Sequence, residues 1–107
     1  MISVKISNIE FNSQNQLTRH VQGILRKHAR YDTLNQEDFA FIRELLNYHP
    51  EAIEKIGYGV GSIYIDKATK GTLAFHVRRL DDSHVVFSFI ACIKNIKHQL
   101  SEQEVLV

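Results

Sequence analysis

Residues 72–92, TLAFHVRRLDDSHVVFSFIAC, decide the fold class. Two runs rich in valine and phenylalanine flank Asp81-Asp82-Ser83. Strand-like runs joined by a short Asp/Ser turn are a hairpin signal. In the first run Leu73, Phe75 and Val77 alternate with the more polar Ala74, His76 and Arg78, the period of a half-buried strand. A three-residue loop over 81–83 sets Phe75 opposite Phe89, Val77 opposite Phe87 and Leu73 opposite Ala91, giving one apolar face. The other face then carries His76, Arg78, Val86, Ser88, Ile90 and Cys92 and is expected to be half covered. Strands are predicted over 72–80 and 84–92.

Upstream, the pattern changes to a helical period. Ser13 and Gln16 form a capping box. Leu17, Val21, Ile24, Leu25 and His28 follow on one face of a helix over 14–29. Residues 31–34 read as a turn. Asn35 caps a second helix, with Glu37 and Asp38 in its first turn, where the dipole favours anions. That helix buries Phe39, Ile42, Leu45 and Leu46 and ends near His49, because Pro50 disfavours helical geometry there. In HPEAIEKIGYGV, residues 49–60, Pro50 opens a short third helix and Gly57 is placed as its left-handed cap. SIYIDK, 62–67, and ISVKI, 2–6, read as further strands, the latter joining the C-terminal sheet. The expected architecture is α+β: two to three N-terminal helices packed on a mostly antiparallel three- to four-stranded sheet. Residues 1–100 make one domain, with a helical turn over 93–98, and 101–107 are a frayed polar tail.

Bulk properties exclude several classes. The 107 residues suffice for one core, and 44% hydrophobic content needs no staples. One cysteine permits no internal disulfide, which suits a reducing, cytoplasmic setting. No apolar run approaches the roughly 20 residues of a membrane span, and the N-terminus has no signal-peptide pattern. The six histidines form no HExxH and no i,i+4 helical pair, so no metal or cofactor is expected. GYGVG lies between a helix and a strand, the reverse of a phosphate loop. Cys92 has His76 across the hairpin as its one conceivable partner and reads as a small buried structural thiol, and Ser88 beside His76 has no third carboxylate in register.

Charge is segregated. Arg19, Arg26, Lys27 and Arg30 lie in a stretch free of acids, whereas the second helix is acidic. With Lys55, Arg78 and Arg79 these cations are the candidate phosphate contacts, and Tyr31, Tyr58 and Tyr64 the candidate stacking rings. The alternative is two solvated helix faces that neutralise each other. The net charge of +1 requires any such patch to be local.

HP-x4-KIG-x-G together with FS-x3-C spans His49, Pro50, Lys55, Ile56, Gly57, Gly59, Phe87, Ser88 and Cys92. With Asp38, Leu45, Leu46, Ile63, Phe75, Arg79, Asp81 and Ile93, this pattern resembles the DCL (defective chloroplasts and leaves) family, also catalogued as DUF3223, over residues 9–95. A small bacterial or phage member is the expected type. Asp82, Val86 and Phe89 depart from the family's glycine, acidic residue and tyrosine. The resemblance implies association with RNA or RNA-handling machinery, because plant members are linked to ribosomal RNA maturation and a related domain ends a plant polymerase subunit. It implies no catalytic activity. It points to a surface where His49, Lys55, Arg79 and Ser88 converge beside the GYG loop. The leading expectation is a non-enzymatic RNA-associated accessory domain. The alternative is a protein-interaction module that binds a polymerase, ribosome or other complex through the acidic helix or a sheet edge.

Overall fold

The computed structural model describes residues 4–68 and 70–96. The chain runs β1 (Val4–Ile6), β2 (Ile9–Phe11), α1 (Gln14–Lys27), α2 (Gln36–Leu46), α3 (Ala52–Ile56), β3 (Val60–Lys67), β4 (Leu73–Arg79) and β5 (His84–Phe87). A further helix, α4, occupies 89–96. The expected tail over 101–107 lies outside the described residues.

The architecture is α+β, with two separate antiparallel sheets and a C-terminal helix that begins four residues before the helical turn expected over 93–98, of which 97–98 lie outside the described residues. β1 does not join the larger sheet. It pairs with β2, Ile6 opposite Ile9. Ser7 and Asn8 both have positive φ, 52° and 69°. That is the two-residue turn whose twist matches a hairpin, so the N-terminal segment closes on itself. The Ser7 N–H donates to the Glu44 carboxylate on α2 and ties the hairpin to the helices.

The capped helices form where local chemistry placed them. Ser13 Oγ accepts from the Gln16 N–H at 3.2 Å, and Asn35 Oδ1 accepts from the Asp38 N–H at 2.8 Å. Leu17, Val21 and Ile24 of α1, with Phe41, Ile42, Leu45 and Leu46 of α2, are buried. The larger sheet has the order β3-β4-β5. Residues 31–34 are more than a turn. Thr33 bridges Tyr64, and the Leu34 N–H donates to Ile63 O at 2.9 Å. The segment therefore covers the free edge of β3.

The β4–β5 hairpin differs from the expected register. Phe75 faces Phe87 and Val77 faces Val85. The loop keeps three residues but is Leu80-Asp81-Asp82, closed by Arg79 N–H donating to Ser83 O at 2.8 Å. Asp82 takes the left-handed position, φ 68°, as the third loop residue requires. Asp81 accepts from the Ser83 N–H at 3.0 Å and from its hydroxyl at 2.6 Å, which fixes the return strand. Cross-strand partners moved by two residues, so the side chains that remain in β4 and β5 stayed on their expected faces.

The strand predicted over 84–92 ends at Phe87. Ser88 instead caps α4, its Oγ accepting from the Ala91 N–H at 3.3 Å. Strand propensity of the Val/Phe/Ile run loses to burial at helical spacing. Cys92, Ile93 and Ile96 are buried, and Phe89 packs edge-on to Phe75 at 6.1 Å. Cys92 and Ile90 therefore do not belong to the outer sheet face.

Candidate nucleic-acid interface

The helices pack on the face of the larger sheet that carries Ile63, Ile65, Phe75, Val77 and Phe87, all buried. Ser62, Tyr64, Asp66, Ala74, His76, Arg78, His84 and Val86 point the other way and are at least partly exposed. Arg78 and His84 are exposed and the other six, Tyr64 and His76 among them, are half-buried, in keeping with a half-covered face.

Cross-strand pairing puts Tyr64 opposite His76, and His76 opposite Val86. The Tyr64 and His76 rings stack, 5.3 Å between centroids and 24° between planes. The Tyr64 hydroxyl lies 2.7 Å from His84 Nδ1. Burial, with the Asp66 charge, pushes the Tyr64 phenol up, so the ring stays neutral at pH 7. Arg78 flanks this cluster on β4, pairing with Asp82 at 3.0 Å. On the other side Arg30 pairs with Asp66 at 2.8 Å and lies 4.5 Å over the Tyr31 ring. The Arg30 hydrogen bond holds the Asp66 carboxyl below its usual range. Both ion pairs are exposed, and exposed pairs are weak enough to exchange for phosphate. Among the predicted stacking rings, Tyr64 is on this face and Tyr31 at its edge, whereas Tyr58 projects from the GYG loop, 85% exposed.

The predicted cations do not form one patch. Arg19 and Arg26 lie exposed on the solvent side of α1 and make no ion pair among the described residues. Lys27 pairs with the buried Asp38 at 2.8 Å. Burial pushes the Asp38 carboxyl up, but hydrogen bonds from Lys27 and His28 outweigh it and hold it below the usual range.

Arg79 acts as a clamp inside the domain. Its guanidinium donates to Glu54 O at 2.7 Å, Lys55 O at 3.1 Å and Ser83 Oγ at 3.0 Å, satisfying carbonyls at the end of α3. Gly57 is not the left-handed cap expected from its position. With φ 55° and ψ −126° it is the first central residue of a type II′ turn, closed by Gly59 N–H donating to Ile56 O at 2.9 Å. A Cβ on Gly57 would meet Arg79 Cδ at 2.9 Å, and one on Gly59 would meet Leu80 Cδ1 at 2.6 Å. The glycines of KIG-x-G thus make room for β4 and its loop.

The expected convergence of His49, Lys55, Arg79 and Ser88 forms in part. His49, Lys55 and Ser88 line one pocket, with Val86, Phe87 and Phe89, and Arg79 is not among its walls. The Lys55 ammonium donates to Val86 O at 3.1 Å. Cys92 is buried on α4 and its thiol is pushed up by burial to about 12. It carries no thiolate nucleophile at neutral pH. Among the described residues no cluster of three or more His, Cys, Asp or Glu is arranged to hold a metal, and no helix is long and apolar enough to cross a membrane. His84 is the ring that sequence reasoning missed. Its outward parity, shared with Val86, was already in the alternation, and only its place opposite Arg78 needed the correct register.

These features define a small α+β domain with a half-covered, ring-bearing outer sheet face. The chain belongs to the DUF3223 family, described as a protein of unknown function, which matches residues 22–93. It is 33% identical over 87 residues to a region of DNA-directed RNA polymerase IV subunit 1 of Arabidopsis thaliana. That match covers 80% of this chain and 6% of the plant protein, so the chain corresponds to a small part of that relative. It is also similar to the solution NMR structure of an uncharacterized protein from Rhodospirillum rubrum. The TM-score is 0.79 at 30% identity, over 86% of this chain and 88% of the other.

Proposed function

We propose that this domain is a non-enzymatic accessory module of RNA-handling machinery that contacts single-stranded RNA through the outer face of its larger sheet. One observation carries the proposal: Tyr64, stacked with His76 and joined to the exposed His84, lies half-buried on the outer face between Arg30 and Arg78. A neutral ring offers a base a stacking surface, and the flanking guanidiniums suit the phosphates on either side. The similarity to a region of a polymerase subunit supports a setting beside nucleic acid. Placement in the DCL group, as a small bacterial or phage member, and a role in ribosomal RNA maturation extend the same reading.

The test is fluorescence anisotropy with a single-stranded RNA oligonucleotide across a salt series. Binding should weaken steeply with salt. Tyr64→Ala should lower affinity by about tenfold, the loss of one stacked base, and Arg78→Glu should flatten the salt slope. Binding indifferent to both substitutions, or none at low salt, would overturn the proposal.

A second reading, docking to a protein of such a complex, has its own support. Ile53, Tyr58 and Leu80 are 90%, 85% and 67% exposed around the Arg79 clamp, and large exposed apolar side chains grouped at one corner mark interaction surfaces. Partner capture insensitive to salt and lost on Tyr58→Ser would favour it.

A further inference from the structure

We propose that the pocket between α3, the end of β5 and the start of α4 binds a small ligand with an oxyanion head, a carboxylate or a phosphate, and a short apolar body. The inference goes beyond the RNA reading and does not depend on it. The pocket holds about 410 Å³, within the range of small-molecule sites. Val86, Phe87 and Phe89 form an apolar wall, and His49, Lys55 and Ser88 supply the polar one.

Hydrogen-bond accounting shows what those three side chains have left to offer. His49 is 8% exposed. Its Nδ1 accepts from the Glu51 N–H at 2.9 Å. Burial and the Lys55 charge push its pKa down, so the ring is neutral and the proton sits on Nε2. That N–H has no acceptor among the described residues. No buried side-chain nitrogen or oxygen there lacks a partner, so Nε2 reaches accessible space, and His49 is one of the walls of the pocket. Lys55 gives one N–H to Val86 O and keeps two. Ser88 Oγ accepts from Ala91 N–H, which leaves its own O–H free to donate. The first N–H groups of α4 have no intrahelical partner and begin at the same residue.

Unused donors beside an aromatic wall fit an acceptor-only head on an apolar body. Glu51 lines the same pocket. Its carboxylate opposes an anion and offsets the Lys55 charge, so recognition rests on directed hydrogen bonds more than on net charge.

The test is an NMR titration of the 15N-labelled full chain with phenyl phosphate, benzoate, inorganic phosphate and benzyl alcohol. Phenyl phosphate or benzoate should shift His49 Nε2 and the Phe89 and Ile90 amides saturably, in roughly the millimolar range. The tighter of the two identifies the head group. Benzyl alcohol, with the body but no charge, should bind at least about tenfold more weakly, the loss of charge-assisted hydrogen bonds. Lys55→Met should weaken binding by about tenfold, and Glu51→Gln should tighten it. Glu51 is exposed, so its variant keeps the question answerable if Lys55→Met unfolds. The proposal falls if neither anion gives saturable shifts, if benzyl alcohol binds equally well, or if Glu51→Gln leaves affinity unchanged. Inorganic phosphate binding as tightly as phenyl phosphate would likewise overturn it, because the apolar wall would then contribute nothing.

Discussion

Replacing Gly57 by alanine tests whether KIG-x-G exists to seat Arg79. The backbone there, φ 55° and ψ −126°, suits glycine, and an L-residue held in it costs on the order of 1–3 kcal/mol. The added Cβ also falls 2.9 Å from Arg79 Cδ and 3.0 Å from Nε. A free arginine would swing aside, but this one is held by Glu54 O, Lys55 O and Ser83 Oγ. Loosening one charged hydrogen bond costs roughly 1.5–3 kcal/mol. The two terms sum to about 2.5–6 kcal/mol, a large share of the roughly 5–15 kcal/mol that stabilises a typical domain. Urea unfolding of Gly57→Ala, Arg79→Ala and the double variant separates them. With Arg79 truncated the clash disappears, and Gly57→Ala should cost only the backbone term. The double variant should then be more stable than the sum of the singles by at least about 1 kcal/mol. Additive costs, or a Gly57→Ala penalty below about 0.5 kcal/mol, would refute the argument.

Asp38→Asn should lower stability at pH 7 by about 1–3 kcal/mol, because Lys27 and His28 lose a buried charged acceptor. The Asp38 carboxyl is held below its ordinary value, so its stabilisation is complete above the unfolded value of about 3.9 and is lost as pH falls through the lower folded value. Acid titration by circular dichroism should show a shallower loss below that point in the variant. Ser88→Ala removes the cap of α4 and should cost about 1 kcal/mol in a thermal melt, whereas Ser88→Asp should restore most of it. Cys92 should react with an aromatic disulfide reagent only as fast as the domain opens, and at once in denaturant. Rapid labelling of the folded chain would contradict its place on α4.

Much of the fold was legible because it is local. Ser13, Asn35 and the helical spacing of Leu17, Val21 and Ile24 act within a few residues, and the helices form there. Alternation assigned Phe75, Val77 and Phe87 to the inner face even though the register differed, since a shift by two preserves sides. Where local signals competed, the reading failed. The run after Ser88 has the composition of a strand and the spacing of a helix, and burial of Cys92, Ile93 and Ile96 settles it. ISVKI suits any sheet, and the turn residues Ser7 and Asn8 gave its described part, Val4–Ile6, a private partner.

The candidate sites depended on distance along the chain. Arg79 lies 24 residues from the carbonyl of Lys55 that it caps, and Lys55 lies 31 residues from Val86. A list of cations does not say which of them already have partners. Lys55 and Arg79 are engaged with backbone oxygens, Arg30 and Arg78 sit in exposed pairs on the outer face, and Arg19 and Arg26 stand on another side of the molecule. Tyr64, His76 and His84 become one cluster only after two strand pairings bring them together. Caps and periodicity are short-range physics that one chain segment can encode. The availability of a charge or a ring depends on what long-range folding places beside it.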